Sequence, residues 1–118
     1  MNEYFSLLHE YKQKGNELMS LLCDTLQIPQ NEYLYDNLLD RQSEIAELYM
    51  EGKWKVRLHG LDIAFISKAE VIQVHAADTH IITASFFARY LRDHGKTDTV
   101  ETNSFLQQLF EQGKVIKW

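Results

Sequence analysis

The chain has 118 residues, 45% of them hydrophobic and 25% charged, which supports one core and is too little for two, so residues 1–118 are read as a single domain. Seventeen acids against twelve Lys and Arg give a net charge of −5, which disfavours an ordinary basic phosphate-tracking nucleic-acid binder and suits a basic partner. A single cysteine, Cys23, excludes an internal disulfide framework and a four-thiolate zinc site and fits a reducing, cytoplasmic compartment. Glu3, His9 and Glu10 interrupt the N-terminal apolar residues, so neither a signal peptide nor a membrane span is expected.

Phe5, Leu8, Tyr11, Leu18, Leu22 and Leu26 recur at steps of three, four or seven, which predicts a long amphipathic helix from Asn2 to about Gln27. Gly15 inside it costs roughly 1 kcal/mol relative to Ala, a cost tolerated where packing is close. Pro29 ends that helix, and Asn31 is placed to cap a second one running to about Glu51, with Leu34, Leu38, Ile45, Leu48 and Tyr49 buried and Gly52 closing it. So short a link predicts an antiparallel helix hairpin. After Gly52 the period becomes two: Lys53, Lys55, Arg57 and His59 alternate with Trp54, Val56 and Leu58. Turns at Gly60–Asp62 and Ala69–Glu70 separate this strand from Ile63–Lys68 and Val71–Ala76, a three-stranded antiparallel meander. A helix follows from near Thr83, with Thr83 or Asp78 as its cap, to His94 and Gly95, then another from about Thr102 to Gln112, then a short strand within Lys114–Trp118. The expected architecture is α+β, with an N-terminal antiparallel helix hairpin packed on a small antiparallel sheet in the order ααβββααβ. Trp54, Val56 and Leu58 should face the helices, joined in the core by Phe5, Leu18, Leu22, Leu38, Ile45, Leu48, Phe86 and Leu109.

Charge is unevenly divided along the chain. Residues 1–52 hold ten acids and three bases, and residues 53–118 hold seven acids and nine bases. On an unbroken second helix, Asp36, Asp40, Glu44, Glu47 and Glu51 fall within an arc of about 80° that contains no base. Like charges four residues apart cost a helix roughly 0.2–0.5 kcal/mol each. The stripe reads either as a solvated face or as a docking surface for a basic protein; an intramolecular match to Lys53, Lys55 and Arg57 is a third possibility. The cationic strand itself, Lys53, Lys55, Arg57 and His59 with Arg89, Arg92 and Lys96, suggests a nucleic-acid surface, although alternation turns Trp54 away from the lysines and toward the core.

For chemistry, His75, Asp78 and His80 lie within six residues, and His59 can approach His75 across the meander, so a metal-dependent or histidine-based enzyme is an alternative reading. The spacing matches no zinc signature, and turn or surface histidines are the favoured account of these residues. Cys23 lies in the helical stripe as a small hydrophobe, and there is no nucleophile elbow, phosphate-binding loop or H-E-x-x-H. No catalytic residue, metal or cofactor is therefore assigned.

The stretch WKVRLHG from Trp54 to Gly60, a short meander, SFFARYL from Ser85 to Leu91, and the closing LQQLFEQGKVIKW together resemble a bacterial family of small cytosolic domains of otherwise unknown function that keep a Trp and a His-Gly pair around the first hairpin. The resemblance covers about half the chain, from Gly52 onward. The size and acidity also resemble immunity proteins of contact-dependent growth inhibition and related toxin systems. That resemblance implies a non-catalytic cytoplasmic inhibitor that occludes a basic toxin domain, such as a nuclease. Asp36, Asp40, Glu44, Glu47 and Glu51 are its expected contacts, and Tyr35 a packing anchor.

Overall fold

A 24-residue helix, α1 (Glu3–Leu26), opens the computed structural model, which describes residues 3–75, 82–96, 99–113 and 115–116. Its buried face carries Leu8, Tyr11, Leu18, Leu22 and Leu26, as the periodicity requires, with Met19 and Cys23 beside them. The helix stops in a Schellman arrangement: Gln27 adopts φ +57, its N–H donates to Asp24 O, and the Ile28 N–H donates to Cys23 O. Pro29 then prevents any resumption. No described helix is long and apolar enough to cross a membrane.

The second helix of the expected hairpin does not form as one element. Two short helices, α2 (Leu34–Leu39) and α3 (Gln42–Ala46), replace it, and Tyr49–Met50 is a strand, β1. Arg41 sits at the break with φ −114 and ψ 23. Its guanidinium donates through Nη1 to Leu26 O, a carbonyl left without a helical partner at the end of α1, and clasps both carboxylate oxygens of Glu44 at 2.5 and 2.6 Å. Charge-assisted bonds outweigh the few tenths of a kcal/mol per residue that an unbroken, like-charged helix would gain. Asn31 accepts from the Tyr33 N–H, two residues on, rather than from the first turn of α2. Gly52 ends no helix: Glu51 (φ +52) and Gly52 (φ +64) are the central pair of a turn closed by Lys53 N–H to Met50 O, within the three-residue loop Glu51–Lys53 that joins β1 to β2.

Strands β2 (Trp54–His59), β3 (Asp62–Ile66) and β4 (Val71–His75) form the expected meander, and β1 extends it to four antiparallel strands in the order β1-β2-β3-β4. The β2–β3 loop is two residues, Gly60 and Leu61, not three, with Gly60 at φ +58 in the position a type II′ turn reserves for glycine. Asp62 is consequently a strand residue paired with His59. One sheet face, Trp54, Val56, Ile63, Phe65, Ile72 and Val74, is buried, with Leu58 half-buried. Helix α1 comes so close to β4 that a Cβ on Gly15 would lie 2.5 Å from Val74 Cγ1.

Strand β5 (Ile82–Thr83) leads into α4 (Ala84–Asp93), and α5 (Val100–Glu111) precedes β6 (Val115–Ile116). Thr99 caps α5 by accepting from Thr102 N–H. The last strand joins no meander strand; it pairs in parallel with β5 as a separate two-stranded sheet. Asp78, Lys114, Lys117 and Trp118 lie outside the described residues, as does the side chain of Thr83, and with them the choice of cap for α4. The helical partners of α1 are α4 and α5, through edge-on rings: Tyr11 on Phe87 (5.6 Å) and Tyr90 (5.1 Å), and Phe5 on Phe105 (4.9 Å). The order is therefore αααβββββααβ in place of ααβββααβ, and α1 pairs with C-terminal helices rather than in an N-terminal hairpin. Leu18, Leu22, Leu38, Ile45 and Leu109 are in the core, and Phe5 and Leu48 pack partly against it. Phe86 is not in it; Phe87, Tyr90 and Leu91 are the core stripe of α4.

Candidate functional site

All five acids of the expected stripe are exposed, but they do not share a helix face. Asp36 lies in the first turn of α2, Asp40 caps its end, Glu44 is in α3, Glu47 follows it, and Glu51 is in the β1–β2 turn. Glu44 is also compensated: the hydrogen bonds from Arg41 hold its carboxyl below the usual range and raise the guanidinium in turn. Among the described residues no ion pair engages Asp36, Asp40, Glu47 or Glu51. Tyr33 precedes this segment and Tyr49 lies within it, 58% and 56% exposed, whereas Tyr35 is half-buried.

The cationic strand is placed as alternation requires. Lys55, Arg57 and His59 are exposed, while Trp54 is 7% exposed and belongs to the core, with Lys53 Nζ 5.0 Å from its ring centre. Lys53 itself is a turn residue. Pairing then builds two cross-strand rows on the sheet face away from α1: Arg57–Ala64–Gln73 and His59–Asp62–His75. The small Ala64 between long neighbours leaves a hollow, and α4 borders it with Phe86 and Arg89, whose guanidinium lies 5.5 Å from the Phe86 ring centre. The result is a groove of about 360 Å³ whose polar lining is Arg57, His59, Asp62, Gln73 and Arg89.

Two atoms beside this groove are unusual. Asp62 Oδ1 and His75 Nδ1 are buried and have no hydrogen-bond partner among the described residues, although the two residues are cross-strand neighbours. An orphaned buried acceptor costs on the order of 1–3 kcal/mol. Among the described residues neither Arg57 nor Arg89 is ion-paired. Half of this site was visible in the alternation of β2. The other half depended on assigning Asp62 to a strand and on turning Phe86, rather than Phe87, out of the core.

His80 lies outside the described residues, so the expected approach of His59, His75 and His80 is not described, and among the described residues no three His, Cys, Asp or Glu side chains are grouped to hold a metal. Cys23 is buried in α1, and burial, with the Asp24 charge second, pushes its thiol up to about 11. A second, broader hollow of about 1030 Å³ runs along the outer side of α1 past His9, Lys12 and Glu17 to Glu51 and Lys53 of the hairpin turn.

The chain belongs to the DUF6896 family, a domain of unknown function, whose family model matches residues 5–117. Neither a curated protein nor a solved structure matches it.

Proposed function

We propose that the protein is a non-catalytic inhibitor of the immunity type, acting in the bacterial cytoplasm by covering a basic toxin domain. The observation that supports this is the segment from Tyr33 to Glu51: four exposed acids, Asp36, Asp40, Glu47 and Glu51, that no described cation pairs with, together with two tyrosines, Tyr33 and Tyr49, more than half exposed. Exposed acids accelerate encounter with a basic surface and select against acidic competitors. Exposed tyrosines supply the apolar contact area that dominates the energy of most interfaces. Glu44 contributes less than the sequence suggests, because Arg41 already neutralises it.

The test is co-expression and kinetic binding with the product of the neighbouring toxin gene. Asp36→Lys with Glu47→Lys should slow association about tenfold or more at low salt, and Tyr49→Ala should speed dissociation. Glu44→Lys alone should have a smaller effect on association. Unchanged association in the double variant would remove the acidic segment as the interface.

A further inference from the structure

The groove on the outer sheet face is independent of the acidic segment and has the opposite character. Arg57 from β2 and Arg89 from α4 both line it, and neither is ion-paired among the described residues. Arg89 is held against the face of Phe86, which leaves a ring and a cation side by side. The floor is apolar through Ala64, Ile66 and Val71. At one end the half-buried Asp62 carboxylate lines the groove, and none of the described residues donates to its buried Oδ1. A carboxylate only accepts hydrogen bonds, so the part of it that reaches the groove calls for an N–H or O–H donor on whatever enters. Two arginines suited to bidentate oxyanion binding call for a phosphate or carboxylate at the other end. Phe86 calls for a flat ring in between. The volume lies at the lower end of the range of about 300–1,000 Å³ usual for small-molecule sites.

We propose that this groove binds a nucleoside monophosphate: the phosphate on Arg57 and Arg89, the base beside Phe86, and a base N–H donating to the Asp62 carboxylate. Among the bases guanine offers two adjacent donors, N1–H and N2–H, so a purine with that edge is the preferred ligand. Lys55, on the same face and opposite Ile66, adds a cation near the phosphate end. Trp54 plays no part, because it faces the core.

The experiment is calorimetric titration of the full chain with guanosine, adenosine, cytidine and uridine monophosphates and with inorganic phosphate. Guanosine monophosphate should bind most tightly, and phosphate alone at least tenfold more weakly. Arg57→Gln and Arg89→Gln, both at exposed positions, should each weaken nucleotide binding about tenfold, the loss of one charge-assisted pair of roughly 1.5 kcal/mol. Asp62→Ala, which removes the acceptor, should erase the preference for guanine while leaving phosphate affinity unchanged, with thermal unfolding run alongside to show that the variant folds. Absence of binding by all four nucleotides, binding that survives both arginine replacements, or equal affinity for phosphate and nucleotide would each overturn the proposal. Because the acidic segment lies elsewhere in the chain, Asp36→Lys with Glu47→Lys should leave these affinities unchanged.

Discussion

Replacing Tyr11 by Phe should destabilise the protein well beyond what the loss of one hydroxyl ordinarily costs. Strand β4 is an edge of the four-stranded sheet, so alternate backbone groups on its outer side have no strand to pair with. The Tyr11 hydroxyl serves both groups of one residue: it accepts from Gln73 N–H at 2.9 Å and donates to Gln73 O at 3.3 Å. Tyr11 is fully buried and Gln73 is 5% exposed, so the freed groups would find little water. Leaving buried backbone groups unpaired at about 1–3 kcal/mol each, and discounting the longer bond, gives an expected loss of about 2–3 kcal/mol. For a chain of this size that is on the order of 10 °C in Tm. Tyr4→Phe is the control, because its hydroxyl partner Thr102 keeps a second contact with Thr99, at 3.0 Å, and should cost under about 1 kcal/mol. Burial pushes the Tyr11 phenol up to about 12, with the Gln73 backbone bond partly opposing it and the Glu70 charge adding to it. The folded state therefore holds this proton more tightly than the unfolded chain. The contribution is complete below pH 10 and is lost as the pH rises toward 12, by about 2–3 kcal/mol in all. Urea unfolding of the wild type and Tyr11→Phe at pH 7 and pH 11 tests both effects. A variant as stable as Tyr4→Phe, or one with an undiminished alkaline loss, would refute the reasoning; Tyr90, also raised by burial and by Glu10, leaves a residual slope.

Two other outcomes follow from packing. Gly15→Ala should lower Tm even though alanine favours helix by about 1 kcal/mol, because its methyl would meet the stiff Val74 side chain at 2.5 Å and overpacking costs roughly 1–3 kcal/mol; a rise in Tm would show that α1 and β4 are less closely packed. Cys23, 1% exposed with its thiol raised to about 11 by burial and the Asp24 charge, should resist alkylation in native protein at pH 8 and react on unfolding. Rapid native labelling would show that this turn of α1 opens.

What the sequence made legible was periodic. The 3.6 pattern of α1 and the twofold pattern of β2 survive intact in the structure, and Pro29 marks a true break. The short elements α2, α3, β1 and β5 were not legible, because they are too short to develop a period, whereas β6 lies within the strand expected at Lys114–Trp118. Their placement comes from single tertiary bonds such as Arg41 to Leu26 O. In α4, Phe86 and Phe87 both have apolar partners four residues on, Tyr90 and Leu91, so periodicity alone does not choose between them. The position of α4 beside β4 decides for Phe87, leaving Phe86 on the groove. The groove itself needed a register. Once the β2–β3 loop is two residues rather than three, Asp62 enters the ladder between His59 and His75 and its carboxylate is carried to the cationic face.

The net charge of −5 thus conceals two surfaces of opposite sign, the exposed acids from Asp36 to Glu51 and the groove of Arg57 and Arg89. Their different exposure gives them different responses to salt. Charges in open water lose most of their influence beyond a Debye length of about 8 Å at physiological ionic strength, so a partner steered by Asp36, Asp40, Glu47 and Glu51 should lose association rate steeply as salt rises. In the groove the phosphate contacts with the exposed arginines should weaken with salt as well. Asp62 is half-buried where the arginines are exposed, and a hydrogen bond to its carboxylate is the better shielded from mobile ions. Total nucleotide affinity should therefore fall between 50 and 500 mM salt while the ratio between guanine and the other bases stays constant. A ratio that collapsed in parallel with affinity would mean that the base edge is read by exposed groups and not by Asp62.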